Sequence, residues 1–178
     1  MSPHTPPPPL ITAERIAARV AALAAVIHAD HPAGVHLVGV LKGSFVFLAD
    51  LIRALPGPAS VDFIAASSYG AASATSGEVR LVKDLDETDL AGRDVVLVED
   101  IVDSGLTLSH LVAHLGTLGP RSLRVACLLN KPARRRAPVA LDYVGFTIDD
   151  VFVVGYGLDH AEAWRHLPYI GVPEPPDA

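Results

Sequence analysis

One stretch decides the architecture: Val95-Val96-Leu97-Val98-Glu99-Asp100-Ile101-Val102-Asp103-Ser104-Gly105-Leu106-Thr107. Four consecutive apolar residues, most of them β-branched, predict a strand over 94–98 covered on both faces, as in a parallel sheet. The strand is expected to end in the adjacent carboxylates Glu99 and Asp100, and a Ser-Gly turn then opens a helix over about 107–118. Paired carboxylates can hold a sugar diol, directly or through a divalent cation. Backbone amides at a helix start, with the hydroxyls of Ser104 and Thr107, can hold a phosphate. One loop could therefore grip a ribose 5-phosphate. The plainer alternative is an acidic turn in which Asp103 caps the helix, but two carboxylates crowded together without a cationic partner are costly. No Gly-x4-Gly-Lys-Ser/Thr occurs in the chain, which argues against a triphosphate cradle.

Working outward, the same alternation of strand and helix repeats. Thr12 can cap a helix on which Ile16, Val20, Leu23 and Ile27 recur at helical spacing. A strand over 36–41, the tight loop Lys42-Gly43-Ser44 and a helix over 45–55 follow. Strands are expected at 61–66 and 78–82, joined by a linker of small polar residues, and then at 123–129, 143–148 and 151–154. This pattern predicts an α/β domain over 10–178, built on a mainly parallel twisted sheet with ligand loops beyond the strand carboxyl ends. Residues 1–9, with the run Pro6-Pro7-Pro8-Pro9, are expected to be a mobile tail, since consecutive prolines offer no amide hydrogens.

Composition narrows the class. The chain has 178 residues, 50% of them hydrophobic and 19% charged, with no apolar run long enough to span a bilayer. A net charge of -6 disfavours nucleic acid as a partner. The single cysteine, Cys127, excludes an internal disulfide, and its apolar flanks place it in a buried strand, in keeping with a reducing cytoplasm. Of fourteen basic residues only Lys42, Lys83 and Lys131 are lysine, so a compact ammonium is used sparingly.

The quoted segment resembles the phosphoribosyl-diphosphate signature of type I phosphoribosyltransferases. Leu41-Lys42-Gly43, Ser68-Tyr69, Leu129 to Lys131, and Val144 through Gly155-Tyr156-Gly157-Leu158-Asp159 to Arg165 are similar to the hypoxanthine(-guanine) branch. The resemblance implies that fold, with a small hood formed by the terminal segments and a flexible active-site loop. It also implies transfer of a phosphoribosyl group to a 6-oxopurine, with Mg2+ as cofactor, in a homodimer or homotetramer. Glu99 and Asp100 would hold the ribose hydroxyls and the metal, with Asp159 as a further metal contact. Asp103, Ser104, Gly105, Leu106 and Thr107 would receive the 5-phosphate, and Asp103 would accept the proton from ring nitrogen seven of the base. Leu41, Lys42, Gly43 and Arg165 would face the pyrophosphate, and the peptide before Lys42 would be cis. Lys131 would donate to the exocyclic oxygen of the base, Phe152 would stack on its ring, and the Val153 backbone would meet its edge. Ser68-Tyr69 would begin the closing loop. A regulatory protein that senses phosphoribosyl diphosphate or a nucleotide, and carries the same signature, is the rival.

Departures from the family pattern are His160 in place of a frequent tyrosine, Trp164 at an aromatic position, and Asp149-Asp150 in place of a proline-containing turn. Taken by themselves, Lys42 reads as a solvated turn residue, Phe152 as core and Arg134-Arg135-Arg136 as a solvated turn. His110 and His114 share a helix face but lack a third ligand in the sequence, so no metal is assigned to them. Gly155-Tyr156-Gly157 follows an apolar run but is only half of a dinucleotide fingerprint.

Overall fold

The computed structural model describes residues 5–68, 79–86 and 90–174. Alternation along the quoted strand builds the two faces of the sheet. β5 (Asp94–Val102) turns Val96 and Val98 to one hydrophobic cluster and Val95 and Leu97 to the other. Its neighbours are β2 (Val35–Leu41) on one side and β6 (Ser122–Asn130) on the other, both parallel to it. The six-stranded order is completed by β3 (Ala59–Ser68) and β4 (Val79–Lys83) beyond β2, and by β7 (Tyr143–Thr147) beyond β6. Only β4, at one edge, runs antiparallel to its neighbour.

Helices cover both faces, as the unbroken apolar runs require. α1 (Ala13–Asp30) begins at Thr12, whose hydroxyl accepts from the Arg15 amide, and buries Ile16, Val20, Leu23 and Ile27. It packs with α2 (Phe45–Ala54) over Leu37, Val96 and Leu128. α3 (Leu106–Thr117) lays Leu108, Leu111 and Leu115 on the opposite face, over Leu97, Val125 and Cys127. Burial pushes the Cys127 thiol up to about 12, so this cysteine behaves as a small apolar core residue and not as a nucleophile.

Three expectations are corrected. β5 does not end at 98 but continues to Val102, so Glu99 and Asp100 sit inside the ladder, with Glu99 opposite Cys127. Residues 151–154 do not form a strand: only Val154 is bridged, to Gly171, because the chain turns at Gly155 and Gly157, both at positive φ. The proline run is not a free tail where it is described. Pro7 is buried, and Pro9 opens β1 (Pro9–Ile11), which pairs antiparallel with β8 (Ile170–Gly171). The Tyr169 hydroxyl donates to the Pro7 carbonyl at 2.9 Å. The two terminal segments thus form a small ribbon of their own. His114 is held by Asp84 at 2.8 Å, and among the described residues no three His, Cys, Asp or Glu side chains converge as a metal cluster.

Candidate active site

The carboxyl ends of β2, β5 and β6 lie side by side, which is where a parallel sheet presents its loops. β5 delivers Glu99 and Asp100, each 9% exposed. Beyond it the chain turns at Gly105, whose φ of +78° initiates α3; a Cβ there would fall 2.9 Å from the Ala137 carbonyl oxygen. A cavity of about 130 Å3 opens at this elbow, lined by Asp103, Ser104, Gly105 and Thr107 among others. Asp103 does not cap the helix. Its Oδ1 is buried and has no hydrogen-bond partner among the described residues, the state expected of an acceptor held for something that arrives later.

The loop after β6 packs directly onto that elbow. The Lys131 amide donates to the Val102 carbonyl at 3.0 Å, and the amides of Arg136 and Ala137 both reach the Ser104 carbonyl. Arg135 adds a clamp through Nε to the Asp103 carbonyl at 3.1 Å and through Nη2 to Asn130 Oδ1 at 2.6 Å. Lys131 is only 6% exposed, and its ammonium lies 3.1 Å from Asp150. Phe152, by contrast, is 56% exposed with its ring free of the core, while Val153 beside it is buried. His160 meets the Phe152 ring edge-on at 5.4 Å and stacks on Trp164 at 6.0 Å, so the two unusual aromatic positions buttress the exposed ring.

On the other side of β5, the Leu41-Lys42 peptide is cis. Gly43 presses against the Asp100 carboxylate so closely that a Cβ would stand 1.6 Å from Oδ2. Gly157 in turn meets the Gly43 carbonyl, where a Cβ would fall 2.1 Å away. Around this junction Arg165 binds Asp159 at 2.7 Å and the Gly157 carbonyl at 2.7 Å. Glu162 bridges Lys42 at 3.2 Å and Arg165 at 3.5 Å. Lys42, Gly43, Asp159 and Arg165 are therefore one cluster abutting Asp100. Ser68 ends β3, and Tyr69 lies outside the described residues.

Glu99 and Asp100 do not form a three-ligand group with Asp159, which is engaged by Arg165. Burial, reinforced by the charge of Asp100 beside it, pushes the Glu99 carboxyl well above the ordinary glutamate range. A buried pair of hard oxygen donors short of positive charge suits Mg2+, an ion that takes one or two carboxylates and fills its shell with water and substrate oxygens. The sign of the resulting stability effect follows. Below the ordinary value of 4.5 the carboxyl is protonated in both folded and unfolded states, and the contribution is fully present. As pH rises the unfolded chain ionises first, and stability is lost through the raised native value. Glu99→Gln is expected to raise the Tm of the unliganded protein at pH 8, by about 2–4 °C per kcal/mol relieved. The difference should shrink as the pH is lowered towards 4.5; a variant that melts at or below the parent at pH 8 contradicts this.

Sequence patterning missed Arg135 and Glu162, and it marked Asp150 only as part of a departure from the family's turn that could tune base preference, not as a partner of Lys131. The arginine run looked like solvated surface, and the partners of Asp150 and Glu162 lie on other loops, so no local spacing signalled any of them.

The family model described as phosphoribosyl transferase domain matches residues 10–161. A hypoxanthine-guanine phosphoribosyltransferase of Mycobacterium avium is 51% identical over 173 residues, covering 93% of this chain and 85% of its own. A hypoxanthine phosphoribosyltransferase of Salmonella typhimurium is 49% identical, covering 91% and 92%. A crystal structure of a hypoxanthine-guanine phosphoribosyltransferase from Bacillus anthracis superposes with a TM-score of 0.87 at 46% identity, covering 93% of this chain and 97% of that one. These relatives are named as enzymes, which leaves the regulatory alternative without support. With the signature elbow, the Lys131 loop and the Gly43 junction assembled at the carboxyl ends of the central strands, the chain belongs to the phosphoribosyl transferase family, in its hypoxanthine(-guanine) branch.

Proposed function

We propose that this protein is a purine salvage transferase that converts hypoxanthine, and guanine with it, to the nucleoside monophosphate at the expense of 5-phosphoribosyl 1-diphosphate, releasing pyrophosphate. The elbow from Asp103 to Thr107 receives the 5-phosphate in its cavity, on the amides that open α3 and the hydroxyls of Ser104 and Thr107. Glu99 and Asp100 face the ribose hydroxyls. They would also hold Mg2+, which would supply positive charge for the diphosphate leaving group. Lys42, the Gly43 backbone and Arg165 take the diphosphate, and substrate competes with Glu162 for both cations.

The base lies between Phe152 and the elbow. Its nitrogen nine bonds to the anomeric carbon as the carbon–oxygen bond to diphosphate breaks, and the proton on nitrogen seven passes to Asp103. Lys131 donates to the oxygen on carbon six. An amino group at that place, as in adenine, would leave a buried ammonium facing a donor, so 6-oxopurines are selected. A reducing cytoplasm and a homodimer or homotetramer complete the proposal, with the buried free thiol of Cys127 favouring the first.

The observation that carries this reading is the direct bond from the Lys131 amide to the Val102 carbonyl, next to the turn from Asp103 to Thr107, which supports one shared site for base and ribose phosphate. The test is an assay with Mg2+, phosphoribosyl diphosphate and each of hypoxanthine, guanine, xanthine and adenine. Nucleotide is expected from hypoxanthine and guanine. Absence of product from every base overturns the proposal, and a preference for adenine overturns the role of Lys131.

A further inference from the structure

Asp150 has no site role among those the family resemblance implies, yet its surroundings single it out. One carboxylate oxygen lies 3.1 Å from Lys131 Nζ and the other accepts from Arg134 Nε at 2.7 Å. Both cations come from the short segment that follows β6, Lys131 heading a single 3-10 turn and Arg134 ending it. Asp150 comes from a different place, the turn after β7, where the Ile148 amide donates to the Asn130 carbonyl and the Val151 amide to Asp149. Two residues further along the same turn stands the exposed ring of Phe152. A single turn therefore carries the counter-ion of the lysine and the ring on which the base is expected to stack.

The burial of the partners sets the weight of each contact. The Arg134 side chain is 61% exposed, and a pair of that kind contributes little by itself. The Lys131 side chain is 7% exposed, so its ammonium is largely removed from water and depends on Asp150 for compensation. Arg134, foremost, and Lys131 hold the Asp150 carboxyl below the ordinary aspartate range, which keeps it ionised wherever the lysine is charged. Other charged groups of this neighbourhood include Asp149, next to Asp150 in the turn, Asp103 on the elbow and Arg135, whose guanidinium is occupied by the carbonyls of Asp103 and Val102 and by Asn130. Asp150 is thus the carboxylate tied to Lys131, steadied from behind by Arg134.

We propose that Asp150 is a positioning residue for base selection: it fixes the Lys131 ammonium at the place where the oxygen on carbon six of the purine arrives, and so sets discrimination between oxo- and aminopurines. An ammonium has three donors, so one bond to Asp150 leaves others for the base. This inference rests on the proposed function for its kinetic consequence, but the tether itself does not.

The experiment compares the parent, Asp150→Asn and Asp150→Glu. Acylation of lysines by an amine-reactive ester, read by peptide mass spectrometry, follows Lys131 against Lys42 of the same molecule. Asp150→Asn is expected to raise the relative labelling of Lys131 several-fold, and Asp150→Glu to restore it. In the steady state Asp150→Asn is expected to raise the KM for hypoxanthine about tenfold, with the KM for phosphoribosyl diphosphate unchanged. The preference for hypoxanthine over adenine should fall in proportion, and Asp150→Glu should recover most of it. Unchanged labelling overturns the tether. KM values that rise together for both substrates, or base preference that does not move, overturn the positioning role. If the parent forms no nucleotide, that failure belongs to the proposed function, and the labelling still decides the tether.

Discussion

Asp103→Asn is expected to lower kcat by about 100-fold to 10,000-fold while leaving the affinity for phosphoribosyl diphosphate within a small factor of the parent. The asymmetry follows from the geometry of the elbow. In the proposed function the phosphate would be held by amides and hydroxyls around Gly105, which an asparagine at 103 does not displace, since the backbone there is fixed by Arg135 on the Asp103 carbonyl and by two amides on Ser104. What changes is Oδ1, buried and unpartnered. An amide of the same shape fits the space but cannot accept a proton from the base. Pre-steady-state measurement of nucleotide formation, with equilibrium binding of phosphoribosyl diphosphate, checks both halves. Turnover that survives the substitution removes Asp103 from proton transfer, and an equal loss of binding reassigns it to the phosphate.

The second large effect is expected at Gly43→Ala, a change of one methyl group. Its Cβ would stand 1.6 Å from Asp100 Oδ2 and 2.6 Å from Asp100 Cγ, so the whole carboxyl group must move. Because the obstacle is a side chain and not backbone, the fold can absorb the change and the site cannot. Asp100 would be pushed from its place beside Glu99 just where the diphosphate loop, the signature strand and Gly157 meet. Displacement of a reacting group by about 1 Å costs on the order of 100-fold, so kcat/KM for phosphoribosyl diphosphate should fall by about that factor or more, with little change in Tm. The kinetic constants and a melting curve together decide it. Activity near that of the parent would mean that Asp100 can be moved freely and is no part of the site.

Much of this was legible in the residues because the physics was local. The alternation of Val95 to Val98 between two faces needs only the two-residue period of a strand, and the elbow at Gly105 needs only a residue that tolerates positive φ. The boundaries failed where two signals conflicted. Glu99 and Asp100 read as the end of β5 because carboxylates are rarely buried, yet the pair is carried inside the ladder, which runs four residues past Val98 to Val102. The apolar letters of 151–154 read as a strand, although Phe152 is exposed and Gly155, at positive φ, turns the chain back onto Leu158. Sequence also gave no hint of Glu162 spanning Lys42 and Arg165, or of Asp150 beneath Lys131, since each is made by segments that only the fold brings together.

The bonds between Val154 and Gly171 have a mechanical consequence. Both backbone links of that pair, 3.0 and 2.9 Å long, sit at the neck of a lasso whose noose carries Asp159, Glu162 and Arg165. Among the described residues the noose has no continuous strand or helix, and it is anchored at two places: at the core, through buried Tyr156, whose hydroxyl donates to Asp50 at 2.7 Å, and at the knot, which β1 tightens from outside by pairing with Gly171. The ion-paired cluster of Asp159, Glu162 and Arg165 is thereby leashed to β1, some 150 positions earlier in the sequence.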